Sequence, residues 1–349
     1  MADVCLGFIV LGLTAYGVLG GADFGAGFWD LTAGGPRRGG RVRGLVQRSM
    51  SPVWEANHVW LIFVLVIAWT AFPVAFGAIF TTLAVPLFLA ALGIILRGTA
   101  YALRGQAATI REARALGATF ALSSVLVPFC FGTVLGGIAS GRVRVHDPAS
   151  DVDAWLNATS IAIGVLAVLS GAYVAAVFLA GDARRAELPD LERAFRARAL
   201  GAGAVTGVAA LVALLVVRSD ARPLYDGLVS GSGLAAIVVS ALAGVATLAL
   251  VWTGRFEPAR GTAAVAVAAV IAGWVLANSP DLLPGQLTID DAAAAGATLT
   301  ALVVSIGIGL LILVPSLWYL YRLVLQGRLD QAYEPLDQRF RPLGDEERP

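Results

Sequence analysis

The chain has 349 residues, 58% of them hydrophobic and only 14% charged, with a mean hydropathy of +0.79 and a net charge of +1. That balance excludes an ordinary soluble domain and offers no basic surface for nucleic acid; it requires a polytopic membrane protein. All 25 basic residues are arginine, a bias of composition as readily as of function.

A bilayer core about 30 Å thick needs about 20 apolar residues per crossing helix. Runs long enough occur at 4–31, 52–74, 76–101, 116–140, 156–179, 197–217, 232–253, 262–278 and 296–324, which predicts nine spans and an all-α fold. The first run lacks a basic leader and a small-residue cleavage site, so it is expected to remain as a helix rather than be cut as a signal peptide. Cys5 and Cys130 both fall inside apolar runs and read as packing thiols, not a disulfide.

Near its end the first run carries Gly20-Gly21-Ala22-Asp23-Phe24-Gly25-Ala26-Gly27. Asp23 lies about 28 Å along the helix from Val4, at about 1.5 Å per residue. An ionisable group there costs roughly 2.5–3.5 kcal/mol and marks a proton, ion or substrate path, or a pairing contact. The glycines allow another helix or a large ligand to approach closely.

The second run opens with Ser51-Pro52-Val53-Trp54-Glu55-Ala56-Asn57-His58-Val59-Trp60. Ser51 suits an N-cap and Pro52 the first helical position. Trp54, Asn57 and Trp60 share one helical stripe and Glu55 with His58 the next, so this end is expected to present a polar, aromatic face inward. Glu55 is expected at the depth of Asp23. The helix dipole favours an acid near an N-terminus by about 0.3–1 kcal/mol, which accounts for Glu55 but not for Asn57 and His58. Trp54 could belong to an interfacial aromatic belt; Trp60, two turns deeper, fits that less well. His58 is a candidate metal ligand, proton-relay member or buried hydrogen-bonding histidine, and with no second ligand nearby in sequence it reads best as the last. Ala71-Phe72-Pro73 marks the break before the third helix. Arg97, at the end of that helix, either snorkels to the interface or counters Asp23 or Glu55.

Arginines in the loops set orientation. Loop 32–51 holds Arg37, Arg38, Arg41, Arg43 and Arg48; loop 102–115 holds Arg104, Arg111 and Arg114; loop 181–196 holds Arg184, Arg185, Arg193 and Arg196. Loop 141–155 sets Arg142 and Arg144 against Asp147, Asp151 and Asp153, and 279–295 has Asp281, Asp290 and Asp291 without arginine. The N-terminus is therefore expected outside and the C-terminal tail, with Arg328, Arg339, Arg341 and Arg348, in the cytoplasm. The expected organisation is a single transmembrane domain over 1–332, followed by a cytoplasmic tail at 333–349. An echo between Val18-Leu19-Gly20-Gly21-Ala22-Asp23 and Val168-Leu169-Ser170-Gly171-Ala172-Tyr173 suggests two four-helix bundles, 1–140 and 156–278, plus a peripheral ninth helix at 296–324.

Beyond the cysteines, His58, His146, Met1 and Met50 are the only side chains of the metal-ligating kind used for haem, too few for several haems. No P-loop, dinucleotide fingerprint, metalloprotease motif or nucleophile elbow is present.

Gly21-Ala22-Asp23-Phe24-Gly25-Ala26-Gly27, the stretch Ser51 to Leu61, Ala71-Phe72-Pro73 and Leu96-Arg97-Gly98 together resemble subunit II of the cytochrome bd quinol oxidases. The motifs cover about the first 105 residues; the remainder agrees in helix count, loop lengths and orientation. Family members often carry a carboxylate a few residues after the Arg-Gly pair, where this chain has Ala102.

The resemblance implies a heterodimer in the bacterial cytoplasmic membrane. In it, a partner, subunit I, binds two haems b and haem d, oxidises quinol and reduces oxygen to water. This chain would carry no haem or other metal. By motif position, Glu55 would serve proton delivery from the cytoplasm, Asp23 the proton path or its polar support, and Trp60 the oxygen-access side, with Trp54, Asn57 and His58 supporting. A structural quinone in this chain, a small accessory subunit and bound membrane lipid stay open. Two other readings stand beside it: a proton-coupled secondary transporter using Asp23 and Glu55, and a purely structural assembly subunit.

Overall fold

A computed structural model describes residues 1–50, 54–104, 106–146 and 148–326. The proposed cap at Ser51 and Pro52, Asp147, and the tail with its four arginines lie outside the described residues. Among the described residues nine helices are long and apolar enough to cross a membrane, and the protein is an all-α polytopic membrane protein.

The first span consists of α1 (Ala2–Ala15), a π-helical turn (Tyr16–Gly20) and α2 (Gly21–Leu31). The segment expected as an arginine-rich loop contains a helix, α3 (Pro36–Met50). Its valine, leucine and methionine at 42, 45, 46 and 50 recur at helical spacing and are buried in the core, so an amphipathic helix forms despite the arginines between them.

After α4 (Trp54–Ala71) the chain departs from the expected helix at 76–101. A short helix, α5 (Pro73–Thr82), is followed by α6 (Ala84–Arg104), with Leu83 outside helical geometry between them. Pro86 explains the break. It has no N–H for the carbonyl of Thr82, and its ring would clash with it. That carbonyl instead accepts the N–H of Asp151 at 3.4 Å. At about 1.5 Å per residue, α5 is about 15 Å long and α6 makes the crossing alone.

Next come α7 (Ile110–Ala139), opened by a Thr109–Glu112 capping box, and α8 (Ala158–Arg185), capped by Asn157. The loop expected at 181–196 shrinks to three residues, because α8 runs on to Arg185 and Pro189 starts α9 (Pro189–Asp220). The turn places Glu187 at a φ of 54°. α10 (Arg222–Leu228), α11 (Gly231–Trp252) and α12 (Phe256–Asn278) follow. A two-stranded antiparallel hairpin, β1 (Asp281–Leu283) with β2 (Leu287–Thr288), and the single turn α13 (Ile289–Ala292) lead to α14 (Gly296–Leu325).

The centre of the molecule is the crossing of α2 and α8, with α7 against both, α6 on α7, and α9 and α12 on α8; α1 and α14 pack on α4. Glycine permits the crossing. A Cβ on Gly25 would lie 1.9 Å from the carbonyl oxygen of Gly171, and one on Gly27 would lie 2.1 Å from Ser124 Oγ. Small residues that let helix backbones touch replace the hydrophobic effect as the driving force between helices in lipid. Gly21 and Gly171, matched in the sequence echo, face each other here: a Cβ on Gly171 would lie 2.9 Å from the carbonyl oxygen of Gly21.

Gly25→Ala is therefore expected to force α2 and α8 apart, at about 1–3 kcal/mol or more. Gly7→Ala, with nothing within 4 Å of the added carbon, should leave the protein as stable as before. Thermal midpoints of the purified variants compare the two; equal midpoints would contradict the crossing described.

Candidate functional site

Asp23, on the first turn of α2, is fully buried. Arg97 of α6 reaches it across the bundle and is itself 2% exposed. Nη1 of Arg97 donates to Asp23 Oδ2 at 2.9 Å and Nη2 to Oδ1 at 2.8 Å. Nη2 also donates to the Asp23 carbonyl at 3.2 Å, and Nε to Ser124 Oγ at 3.0 Å. The guanidinium lies 4.8 Å from the Phe24 ring centroid and 4.7 Å from that of Phe120. Four of the five N–H donors that arginine offers are thus placed, and aromatic faces cover the plane. Two ions without water are costly unless geometry is bidentate and remaining donors are satisfied; the geometry is bidentate, and two further donors are met by Ser124 and the Asp23 carbonyl. Arg97 therefore does not snorkel; it is the counter-charge of Asp23.

One turn before Asp23, the π-helical turn offers the carbonyl of Leu19 to Asn57 Nδ2 at 3.2 Å. A π-turn within an α-helix frees backbone groups of this kind for side chains. Asn57 is buried, and its Oδ1 accepts the hydroxyl of Tyr321 at 2.8 Å. This chain of bonds ties the first, second and ninth spans together at one level. Beside it, His58 Nδ1 lies 3.4 Å from Tyr16 Oη, and its ring meets those of Tyr16 and Phe24 at 5.9 Å and of Trp54 at 6.4 Å. Trp54 packs on Tyr101 at 5.1 Å.

The structure thus brings Asp23, Asn57, His58 and Trp54 into one buried polar and aromatic cluster. Trp60 is also buried, against Phe63 at 5.9 Å, with Nε1 unpartnered among the described residues. Glu55 does not join them. It is exposed on the outer face of α4, above Val59, Ile62, Val66 and Trp69, which are exposed too. Its expected inward face is taken by Asn57 and Trp60. Glu55 and these four residues follow one another at intervals of 4, 3, 4 and 3 and so lie along a single face of the helix.

A second buried carboxylate escaped the sequence reading. Asp30, 3% exposed, accepts Arg43 Nε at 2.7 Å and Arg104 Nη1 at 3.0 Å. The sequence does carry a signal for it. Asp23 and Asp30 are seven residues apart, as are Arg97 and Arg104, so each pair stands two turns apart on one helix face. Two parallel helices with matching charge intervals can close both bridges in a single register.

Comparison with known proteins agrees with this architecture. The family described as cytochrome bd terminal oxidase subunit II matches residues 1–324. A putative cytochrome bd menaquinol oxidase subunit II of Bacillus subtilis is 23% identical over 338 residues, covering 93% of this chain and 95% of that protein. A cytochrome bd ubiquinol oxidase subunit 2 of the same organism is 26% identical over 156 residues, 43% of this chain and 44% of that protein. Among solved structures, a chain of the bd oxidase from Geobacillus thermodenitrificans superposes with a TM-score of 0.74 at 27% identity, covering 93% of this chain and 98% of its own.

The bidentate pair makes a definite statement about stability. Arg97→Met strands a buried carboxylate and is expected to cost about 3–5 kcal/mol. Adding Asp23→Asn to it removes the stranded charge and should recover part of that loss. Equilibrium unfolding in mixed micelles compares single and double variants; a double variant less stable than Arg97→Met would contradict the pairing.

Proposed function

Because the chain belongs to the cytochrome bd terminal oxidase subunit II family, we propose that it is the non-haem subunit of a quinol:oxygen oxidoreductase and carries a proton path for its partner. The oxidoreductase activity belongs to the complex, in which a subunit I is the partner. In this reading subunit I holds the haems, where electrons from quinol meet oxygen, and the water formed takes up protons from the cytoplasm. This chain would itself hold no haem; among the described residues no group of three or more His, Cys, Asp and Glu side chains gathers as a metal site. His58 is enclosed by the rings of Tyr16, Phe24 and Trp54.

The observation that carries the reading is the exposed Glu55. A carboxylate facing lipid is costly, whereas the same group under a partner helix is covered and can pass protons across the subunit boundary. Asp23, held by both Nη atoms of Arg97, then acts as polar support, keeping α2 and α6 in register behind the face that presents Glu55. Trp54 and His58 back that face from within. Trp60, buried two turns further along α4 than Trp54, would lie on the oxygen-access side. A transporter reading needs Asp23 and Glu55 on one path, and they face opposite ways.

Co-expression with a haem-bearing partner tests the assignment directly. The purified complex is expected to show a haem d absorption band and quinol-dependent oxygen uptake, and the absence of both would sink it. Within that complex, Glu55→Gln keeps the shape and removes the titratable proton. It should leave assembly intact by size-exclusion chromatography and lower turnover by about 10²-fold, the lower end of what a positioned proton-transfer group contributes. Equal turnover would remove Glu55 from the path.

A further inference from the structure

We infer that the arginine-rich end of the bundle holds the phosphodiester headgroup of an anionic phospholipid, in a cleft between the end of α8 and the α11–α12 turn. The cleft has a volume of about 460 Å³ and is walled by Arg184, Arg185, Arg255, Phe256, Glu257 and Pro258, with Gly181 and Gly254 at its base. It shares no lining residue with the cluster around Asp23 and Glu55.

Charge bookkeeping around the cleft leaves a surplus of cations. Asp182 and Glu257 are the carboxylates there. Asp182 accepts Arg185 and, at 2.6 Å, Arg260; Glu257 accepts Arg185. Arg260 also donates to the carbonyl of Phe178 at 2.7 Å. Gly181 makes room for that crossing, since a Cβ there would lie 2.9 Å from Arg260 Nη2. Those two arginines are therefore spent on the protein's own acids. Among the described residues the side chain of Arg184 bonds the carbonyl of Gly254 alone, and it stands 5.6 Å from the Phe256 ring centroid. Arg255 is exposed, and its side chain makes no hydrogen bond or ion pair among the described residues. Two guanidiniums without a carboxylate among the described residues, Arg184 and Arg255, thus line one cleft.

Guanidinium forks match phosphate oxygens two at a time. The cleft's level in the fold decides which phosphate. It opens where membrane-spanning helices end, its far wall is apolar through Phe256 and Pro258, and Trp252 beside it is 67% exposed. An indole at that level is characteristic of the lipid headgroup region. A basic pocket between helix ends suits an anionic headgroup whose acyl chains run down the bundle.

The purified complex in mixed micelles tests this with phosphatidylglycerol, phosphatidylcholine and inorganic phosphate as probes, read by native mass spectrometry of retained lipid and by thermal midpoint. Phosphatidylglycerol should be retained and raise the midpoint, and phosphatidylcholine should do neither. Arg255→Gln, at an exposed residue without partners, should weaken phosphatidylglycerol binding about fivefold. Arg48→Gln, which removes an exposed arginine from the same end but outside the cleft, should leave it unchanged. Equal losses in the two variants would replace the site with diffuse surface attraction and overturn the proposal. So would retention of both lipids alike, or stabilisation by inorganic phosphate equal to that by the lipid.

Discussion

The bidentate bridge between Asp23 and Arg97 constrains most of what surrounds it. It is buried on every side, so neither residue can turn to water, and the two helices that carry them must hold one relative height and rotation. Asp30 and Arg104 repeat the bridge two turns on, with the same interval on both helices. Two rungs at equal spacing exclude a slip of either helix by one turn, because a slip would leave a carboxylate and a guanidinium unpaired inside the bundle. Buried ion pairs often add little net stability compared with apolar residues of the same shape. Their use in this fold is better understood as setting register among helices whose surfaces of Ala, Gly, Leu and Val would otherwise pack in several ways.

That register serves the crossing of α2 and α8. The glycines of α2 face two directions, Gly21 and Gly25 toward α8 and Gly27 toward Ser124 of α7. Ser124 in turn accepts from Arg97 and donates to the carbonyl of Phe120. Close approach and charge pairing are therefore coupled: α7 can supply Ser124 to the guanidinium only because Gly27 lets it come near. The π-helical turn before Gly21 adds the third constraint, giving Asn57 a backbone carbonyl and, through Asn57, a hold on Tyr321 of the ninth span.

The sequence showed the spans well and their interruptions poorly, for one physical reason. Hydropathy over about 20 residues reports burial in lipid and is blind to the single hydrogen bond lost at Pro86, which splits 76–101 at Leu83. It also passed over α3, where arginines lower the average although Val42, Leu45, Val46 and Met50 keep helical spacing. Among the site residues, Asp23, Asn57 and His58 were legible because polar groups in an apolar run stand out. Asp30 was not, since it sits where the run ends and charge is ordinary. The matched intervals 23–30 and 97–104 are the signal in the sequence that separates pairing of Arg97 from snorkelling.

The side toward which Glu55 faces follows from geometry that no single-helix reading contains. At the start of α4, Asn57 and Trp60 compete with Glu55 and His58 for the interior. The bonds from Asn57 to Leu19 and Tyr321 decide the helix rotation, and Glu55 turns outward as a consequence. An acid in that place is poorly matched to lipid and well matched to a covering protein surface. The polar cluster that first drew attention to this end of the chain therefore works as an anchor. By fixing the rotation of α4 from inside, it leaves Glu55 on the outer surface, and in the proposed function that surface is the one the partner subunit would cover.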